Sequence, residues 1–304
     1  MRALVNTANP EKPVEIRDTA EPEPAPDEAL IEVRAMAINR GELRLMAERP
    51  DGWRPGQDIA GVVIRAAADG GGPQPGARVV ALVDQAGWAE RAAAPTSRIG
   101  TLPDNVTFEA AASLPVAGLT ALRALRVGGS LLGKRVLITG AAGGVGHFAV
   151  QLAAHAGALV TGIVGRPGRG ADLAKIAGVQ IVVGYDNLNG PFDLILESVG
   201  GVSLAAALRN VADDGDVAVF GNSAGEETSI SFRDMRGLAR VHAFHVYATA
   251  EPPTFGEDLT LLASLVGRGD VRPHVGYEGG WADPRPALFA LRDRELEGKA
   301  VLRI

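Results

Sequence analysis

The sequence contains no cysteine among its 304 residues, and this absence excludes several kinds of chemistry. Disulfide bonds, thiolate nucleophiles and cysteine-ligated zinc all need a side chain that the protein lacks. An excess of basic residues is also missing, because 30 Lys and Arg face 36 Asp and Glu, for a formal net charge of −6. Nucleic-acid-binding proteins normally carry a basic excess, so we expect no nucleic-acid partner.

Long hydrophobic runs are absent as well, since none reaches the ~18 residues of a membrane span. The chain enters a strand-like run directly after Met1, so no signal peptide is recognisable. We therefore expect a cytoplasmic protein with no membrane partner. The five histidines do not form a His-Glu-x-x-His pattern, so a catalytic metal site is not expected.

Hydrophobic residues are nevertheless abundant, at 46% against 22% charged residues, which is typical of a folded protein with a substantial core. Residues 2–115 predict a β-rich region, because short apolar runs alternate with turns rich in proline and glycine. Its predicted strands include 14–17, 29–38, 61–65 and 78–83. An alanine-rich segment, 108–125, has helical spacing and should connect this region to the next one.

A strand, a glycine cluster and a helix follow one another within residues 134–152. The run 136–138 is apolar, and the glycines after it include the spacing Ala141-x-Gly143-x-x-Gly146. This order is the context of a dinucleotide-binding fingerprint, in which backbone N–H groups at the start of the helix bind a pyrophosphate. The common fingerprint has glycine at the position of Ala141.

The residues after the second strand, predicted over 158–165, indicate which dinucleotide binds. An NAD site would carry Asp or Glu there to bind the ribose hydroxyls, but this strand ends in Gly-Arg-Pro-Gly-Arg at 165–169. Guanidinium groups bind a phosphate dianion through charge-assisted hydrogen bonds. We therefore predict that Arg166 and Arg169 hold the 2′-phosphate of NADP(H). Two solvated surface arginines are the alternative.

Strands and helices alternate through the rest of the chain. The predicted elements are strands at 180–183, 192–196, 216–220 and 298–304 and helices at 173–178, 203–211 and 259–266. This alternation predicts a doubly wound parallel sheet, and the last strand should return to the N-terminal region. His242 and His245 lie in the run 240–247, whose alternation predicts a strand with the two side chains on opposite faces. Such a strand could carry an active-site histidine, whereas His147 and His155 are expected to pack or to lie at the surface.

Short motifs extend over nearly the whole chain, at 35–39, 55–63, 86–90, 114–121, 140–146, 182–185, 197–201 and 298–302. Jointly they resemble the medium-chain dehydrogenases/reductases, and within them the zinc-free quinone oxidoreductases of the ζ-crystallin type. The resemblance implies an α/β fold with a GroES-like β-rich catalytic domain, 1–116 with 252–304. It also implies a Rossmann domain with a doubly wound parallel sheet, 117–251, and NADP(H) in the cleft between the two.

The resemblance further implies which residues contact the cofactor. The predicted set is Asn39, Thr120, Ala142, Gly143, Gly144, Val145, Gly165, Arg166, Arg169, Tyr185, Phe220, Gly221, Asn222 and Ser223. Asn39 and Thr120 are expected near the nicotinamide, and the backbone of 220–223 near its carboxamide. Arg169 and Tyr185 match positions beside the 2′-phosphate. Family members commonly dimerise through an edge strand of the Rossmann sheet, here 240–247, so we expect a homodimer.

The sequence departs from the family pattern at the zinc-ligand positions and at the position of a tyrosine proton donor. Gln57 and Asp58 stand where zinc-dependent relatives have the His and Glu of Gly-His-Glu, and Asn39 and Ser113 stand roughly at their ligating cysteines. Without a Lewis acid, oxidation of an alcohol is disfavoured. Several related reductases carry a tyrosine close to the position of Arg44, so a tyrosine proton donor is not expected there.

The chemistry that remains is hydride transfer from NADPH to an acceptor that disperses negative charge itself, a quinone or an α,β-unsaturated carbonyl. We predict Asn39, Arg44 and Gln57 as catalytic residues and Arg40 as a further donor, with structural roles for both arginines as the alternative. An enoyl-thioester reductase and a low-turnover NADPH-binding redox sensor are alternative functions, and a zinc-dependent alcohol dehydrogenase is a third. The sequence leaves the acceptor open, because loops such as 46–55 and 249–255 should shape the pocket.

Overall fold

The computed structural model describes residues 1–186, 188–248 and 254–304 of the chain. The chain folds into two units, Met1–Leu119 with Glu251–Ile304 and Thr120–Ala250. Most of the predicted pocket loop 249–255 lies outside the described residues. No helix in the three described segments is both long enough and apolar enough to cross a bilayer.

The described residues form fifteen strands and seven α-helices. The strands are β1 (Arg2–Asn6), β2 (Val14–Asp18), β3 (Glu28–Ile38), β4 (Asp58–Arg65), β5 (Arg78–Leu82), β6 (Arg91–Pro95), β7 (Ile99–Thr101), β8 (Arg135–Ile138), β9 (Leu159–Val164), β10 (Val179–Val183), β11 (Phe192–Glu197), β12 (Val211–Val219), β13 (Arg240–Ala243), β14 (Val275–Gly280) and β15 (Lys299–Arg303). The α-helices are α1 (Arg40–Glu48), α2 (Phe108–Ala112), α3 (Pro115–Arg126), α4 (Gly144–His155), α5 (Val202–Asn210), α6 (Phe255–Arg268) and α7 (Arg285–Arg292).

The first unit contains a seven-stranded sheet of order β14-β15-β3-β4-β5-β7, with β6 also paired to β3. Its pairings are antiparallel except for β14 with β15. The strands bury one continuous apolar core, to which Trp88, Met36 and Ile59 each contribute a fully buried side chain. Because β15 pairs with β3, the prediction that the last strand returns to the N-terminal region is confirmed.

The register of this sheet brings three distant chain segments to one edge. Ala37, near the end of β3, pairs with Asp58 at the start of β4, and Ile38 pairs with Ala300 near the start of β15. Asn39, which follows β3, therefore lies beside Asp58 and Lys299. Hydrogen bonding along antiparallel strands holds these positions in fixed register.

The second unit is a six-stranded sheet of order β10-β9-β8-β11-β12-β13, and every pair in it is parallel. This confirms the predicted doubly wound parallel sheet. The chain runs outward from β8 to β10 on one side and from β11 to β13 on the other. The order thus reverses between β8 and β11, and ligands of open α/β sheets bind at the carboxyl ends of the strands beside such a reversal.

Two predictions about the second unit are wrong. The predicted strand 240–247 is shorter, because β13 ends at Ala243; His242 lies on the strand and His245 follows it, exposed. The predicted helix 173–178 is only a 3₁₀ turn, Leu173–Lys175. Gly170 and Gly178 have φ values of 68° and 77°, so left-handed backbone bounds this short segment on both sides.

The predicted helix 108–125 is two helices. The first, α2, ends at Ala112, and α3 begins at Pro115. A proline lacks the N–H that a continuing helix needs but fits the first helical position, so the break falls where the sequence places Pro115.

Candidate active site

The turn between β8 and α4 has the backbone geometry of a phosphate-binding turn. Gly140 has a φ of 61°, and a Cβ added at Gly146 would lie 2.3 Å from the Gly140 carbonyl oxygen. Gly146 is therefore required for the helix to pack against the turn. The first N–H of α4 bonded within the helix is that of His147, which donates to Gly143 O at 2.9 Å.

Helix geometry leaves the N–H groups of Gly144, Val145 and Gly146 without an intrahelical acceptor. Gly143, Gly144 and Val145 are partly exposed, while Ala142 is 3% exposed. Free N–H groups and the positive end of the helix dipole suit an anion such as a pyrophosphate. The residues present therefore fit a dinucleotide. Because the side chain of Ala142 is buried, only its backbone could contact a ligand at this turn.

A buried carboxylate fixes the facing turn after β11. Glu197 is fully buried and accepts hydrogen bonds from Ser203 Oγ at 2.7 Å and from the N–H groups of Val199 and Gly200 at 3.0 Å. Thr139, which follows β8, donates its hydroxyl to Glu197 at 3.1 Å. Hydrogen bonds of this number satisfy a buried charge. The carboxyl ends of β8 and β11 are thereby tied together at the reversal of strand order.

The predicted cofactor segment 220–223 is held against this turn. The N–H of Phe220 donates to Glu197 O at 2.9 Å, and the N–H of Ser223 donates to Ser198 O at 3.0 Å. A Cβ at Gly221 would lie 2.9 Å from Ser198 O. These two N–H groups are engaged within the protein. The exposed Asn222 side chain donates to Glu226 O at 3.2 Å and accepts from the Gly225 N–H at 3.1 Å, so it too has partners within the protein.

The two predicted phosphate-binding arginines lie in the loop after β9. Gly165 and Arg166 are exposed and Arg169 is partly buried, whereas Tyr185 packs partly into the core beneath the sheet. The loop returns to the glycine turn, because a Cβ at Gly170 would lie 3.9 Å from Ala142 Cβ. Thr120, also predicted to contact cofactor, is 7% exposed on α3.

In the first unit, Asn39 is the centre of a buried polar cluster. Its Nδ2 donates to Asp58 Oδ2 at 2.9 Å, and Lys299 Nζ donates both to Asn39 Oδ1 and, at 2.9 Å, to Asp58 Oδ2. The N–H of Val116 donates to the other oxygen of Asp58 at 2.9 Å. Asp58, Lys299 and Asn39 are 0%, 3% and 9% exposed, so a charged pair is enclosed with an amide whose orientation it determines.

Glu42 connects this cluster to the loop that precedes β4. It is fully buried, and its two oxygens accept the N–H groups of Asn39 at 2.7 Å and of Gln57 at 2.8 Å. Burial, together with the nearby Asp58 carboxylate, raises the pKa of Glu42 to about 8. The same carboxyl group therefore fixes the backbone of two residues predicted as catalytic.

The two arginines predicted as donors are held by groups outside this cluster. Arg44 is on the exposed face of α1, 3.7 Å from Glu48 and with 76% of its side chain exposed, so the structure does not bring it into the cluster. Glu42 and Met46 form the buried face of the same helix, and a position between them points away from it. Arg40 donates to Leu291 O at 3.0 Å, and burial with the nearby Arg294 lowers its pKa.

The donor set around Asn39 does not fit zinc. Structural and catalytic zinc sites use thiolates, imidazoles and carboxylates, whereas this cluster offers an amide and a carboxylate already bonded to an ammonium group. Ser113, roughly at the place of a cysteine ligand, is fully buried and donates its hydroxyl to Ala110 O at 2.6 Å.

Sequence reasoning missed Glu42 and Lys299. The spacing Asn39-x-x-Glu42 is that of a helix capping box, and it could have indicated that Glu42 turns back to the start of α1. Lys299 lies in an apolar strand, and no local pattern connects it to a residue 260 positions earlier.

Known families match both parts of the chain. The family model of the alcohol dehydrogenase GroES-like domain matches residues 25–116, and the family model of the zinc-binding dehydrogenases matches residues 144–264. A chloroplastic quinone-oxidoreductase homolog of Spinacia oleracea is 32% identical over 225 residues, covering 66% of this chain and 68% of that protein.

Two further relatives extend along most or all of the chain. A 2-methylene-furan-3-one reductase of Solanum lycopersicum is 29% identical over 308 residues, covering 94% of this chain and 74% of that protein. The quinone oxidoreductase of Thermus thermophilus, solved also as its complex with NADPH, is 30% identical over the whole of both chains, with a TM-score of 0.83. The protein thus belongs to the medium-chain dehydrogenase/reductase superfamily, among its quinone oxidoreductases.

Proposed function

We propose that the protein is an NADPH-dependent oxidoreductase that reduces a quinone or an α,β-unsaturated carbonyl without a metal. The observation that carries the proposal is the buried pair of Asp58 and Lys299, bonded to Asn39 where zinc-dependent relatives bind their metal. A site with no Lewis acid suits acceptors whose reduced form delocalises its own charge. The tomato relative is named for reduction of a conjugated ketone, and the Thermus relative for reduction of quinones, which supports both acceptor classes.

NADP(H) is the cofactor, and when bound it supplies the hydride that reduces the acceptor. The N–H groups at the start of α4 would hold the pyrophosphate, and Arg166 and Arg169 the 2′-phosphate. The catalytic unit would be 1–116 with 252–304 and the nucleotide-binding unit 117–251. A hydride and one proton together complete the reduction of the acceptor by two electrons.

Asn39 is the residue that we propose to assist the reaction directly. Its amide nitrogen carries two N–H bonds, and Asp58 accepts one of them. The second is available to an oxygen of cofactor or acceptor, and the Lys299 ammonium on Asn39 Oδ1 polarises the amide. Gln57 is the second residue that we propose to assist the reaction, and its backbone N–H is held by the same Glu42 carboxyl group as that of Asn39.

The proposal is tested by NADPH oxidation with 1,4-benzoquinone, 9,10-phenanthrenequinone and an enone, with and without a chelator. We expect turnover with at least one acceptor, no effect of chelation and no stoichiometric zinc in the purified protein. Tight NADPH binding with no oxidation by the whole panel would instead favour the redox-sensing alternative. Activity only with an alcohol and zinc would contradict the proposal.

We also propose that two copies of the chain associate through β13. This strand is at the edge of the sheet in the described second unit, and an unpaired edge is a template for another strand. Val241 on this strand is 56% exposed, and Phe232 and Leu238 before it are 90% and 83% exposed. Large exposed apolar groups in one segment are typical of an interface. Light scattering on the parent and on Val241→Lys tests this, with a shift to monomer expected for the variant.

Cytoplasmic location stays a prediction from the sequence.

A further inference from the structure

His147 is a buried histidine in the first turn of α4 that the proposed reaction does not use. Only 4% of it is exposed, and it directly follows Gly146 of the fingerprint. Its Nε2 lies 3.0 Å from Asp172 Oδ2, and its Nδ1 lies 3.0 Å from Gln151 Nε2. Because the Gln151 amide nitrogen is a donor, Nδ1 accepts, and Nε2 carries the proton that is donated to Asp172.

Asp172 belongs to the loop that follows β9, and it is the single carboxylate in residues 165–175. The same loop contains Arg166 and Arg169. Dinucleotide sites that prefer NAD use an acidic residue in this part of the fold to accept hydrogen bonds from the adenosine ribose. An unrestrained carboxylate here would have two effects: it would repel a 2′-phosphate, and it would compete for the guanidinium groups.

The Asp172 carboxylate is hydrogen-bonded to His147 of α4. His147 is held by Gln151 one turn along α4, since Gln151 Nε2 also lies 3.1 Å from the His147 carbonyl oxygen. The imidazole is therefore oriented from inside the helix and presents a fixed N–H to the loop. About half of the Asp172 side chain remains exposed, at 47%, so burial alone does not fix the carboxylate, and the contact with His147 Nε2 at 3.0 Å holds it toward α4.

We propose that His147 sets the preference of this protein for 2′-phosphorylated adenosine by retaining the Asp172 carboxylate on α4. The proposal rests on the proposed role of Arg166 and Arg169 and adds a residue that no fingerprint contains. His147 is a positioning residue in this scheme and touches neither cofactor nor acceptor.

The test compares 2′,5′-ADP, which carries the 2′-phosphate, with 5′-AMP, which lacks it, by calorimetric titration of the full-length protein. His147→Leu is expected to weaken the affinity for 2′,5′-ADP about tenfold, which is the size of one charged contact to a phosphate. The affinity for 5′-AMP should stay within about twofold of the parent value. His155→Leu is the matched control, because His155 ends the same helix and is exposed. We expect that variant to match the parent with both ligands.

Adding Asp172→Asn to His147→Leu distinguishes the effect of a released Asp172 carboxylate from the effect of a structural defect at His147. With no carboxylate left to compete, the double variant should recover the parent's ratio of the two affinities to within about threefold. A structural defect at His147 would not be repaired by a change in the loop. If His147→Leu does not fold, His147→Met is measured instead, since methionine adapts to irregular space.

An unchanged affinity ratio in the folded His147 variant would overturn the inference, and so would a reduced ratio that Asp172→Asn fails to restore. Arg166→Ala and Arg169→Ala are titrated in parallel. If these two keep full affinity for 2′,5′-ADP, the proposed phosphate site itself is wrong. If they lose it while His147→Leu does not, only the role of His147 is refuted.

Discussion

The two polar regions of this protein satisfy their charges in opposite ways. In the cluster around Asn39, the opposite charges of Asp58 and Lys299 are buried and paired with each other. At the start of α4, by contrast, backbone N–H groups and the exposed Arg166 are left to bind an anion from outside. The charges of the first region are satisfied within the protein, whereas the second region, in the proposed function, is completed by the cofactor. Changes in the first should therefore alter stability, and changes in the second should alter affinity.

The largest effect is expected from Lys299→Met. Removing one partner of a buried ion pair leaves Asp58 buried and uncompensated, which costs about 3–5 kcal/mol in the free energy of unfolding. Denaturation in urea measures it. The double variant Lys299→Met with Asp58→Asn removes both charges and should regain most of the loss. If the single variant is as stable as the parent, Lys299 does not compensate the buried charge of Asp58.

Arg166→Ala combined with Arg169→Ala should break the second region without affecting the first. The dissociation constant for NADPH should rise by the equivalent of about 1.5–3 kcal/mol for each charged hydrogen bond lost. Affinity for NADH should stay at the parent value, because NADH lacks the 2′-phosphate that these arginines are proposed to bind. Fluorescence titration with both nucleotides measures this. Equal weakening of NADH would contradict the assignment.

The pH dependence of stability should reveal Glu42. Its pKa of about 8 lies above the ordinary 4.5, so the folded state binds this proton more tightly than the unfolded state does. The resulting stability is complete below pH 4.5 and is lost as the pH rises to about 8, with a slope of at most ~1.4 kcal/mol per pH unit.

Unfolding free energies of the parent and of Glu42→Gln between pH 6 and 8 check this expectation. The variant cannot ionise and should show the smaller slope, although its amide N–H₂ faces a backbone donor and lowers stability at every pH. Equal slopes in the two proteins would show that Glu42 does not titrate in this range.

The smallest effect is expected from Arg44→Ala. An exposed ion pair such as Arg44 with Glu48 contributes about 0–1 kcal/mol, and no buried group depends on it. Stability and NADPH oxidation should both stay near the parent values. A large loss of kcat would restore Arg44 as a catalytic residue and would show that α1 presents it differently during turnover.

The sequence patterns predicted the second region better than the first, and the reason is physical. The strand, glycine turn and helix of residues 136–155 are encoded locally, so spacing alone indicates them. The cluster around Asn39 depends on antiparallel register between β3, β4 and β15, which no local pattern specifies. Its last member, Lys299, is 260 residues from Asn39.

Misplaced elements follow the same division. The alternation that continues past Ala243 predicts a strand at His245. The end of an edge strand, however, depends on its pairing with β12 rather than on its own residues. Helix α1 was not predicted, although its acidic third residue is a start signal, because its apolar stripe is short. Arg44 is predicted from its place in the family pattern, close to the position of a tyrosine in related reductases. A helix turns neighbouring residues to different sides, and α1 leaves Arg44 exposed.

The two oxygens of Glu42 have a mechanical consequence. One rigid carboxyl group accepts the backbone N–H of Asn39 and that of Gln57, so it acts as a clamp between the end of β3 and the approach to β4. In the proposed reaction, a displacement of the loop at Gln57 on acceptor binding would be transmitted through this clamp to the Asn39 backbone. Recognition of the acceptor and alignment of the amide would then be coupled.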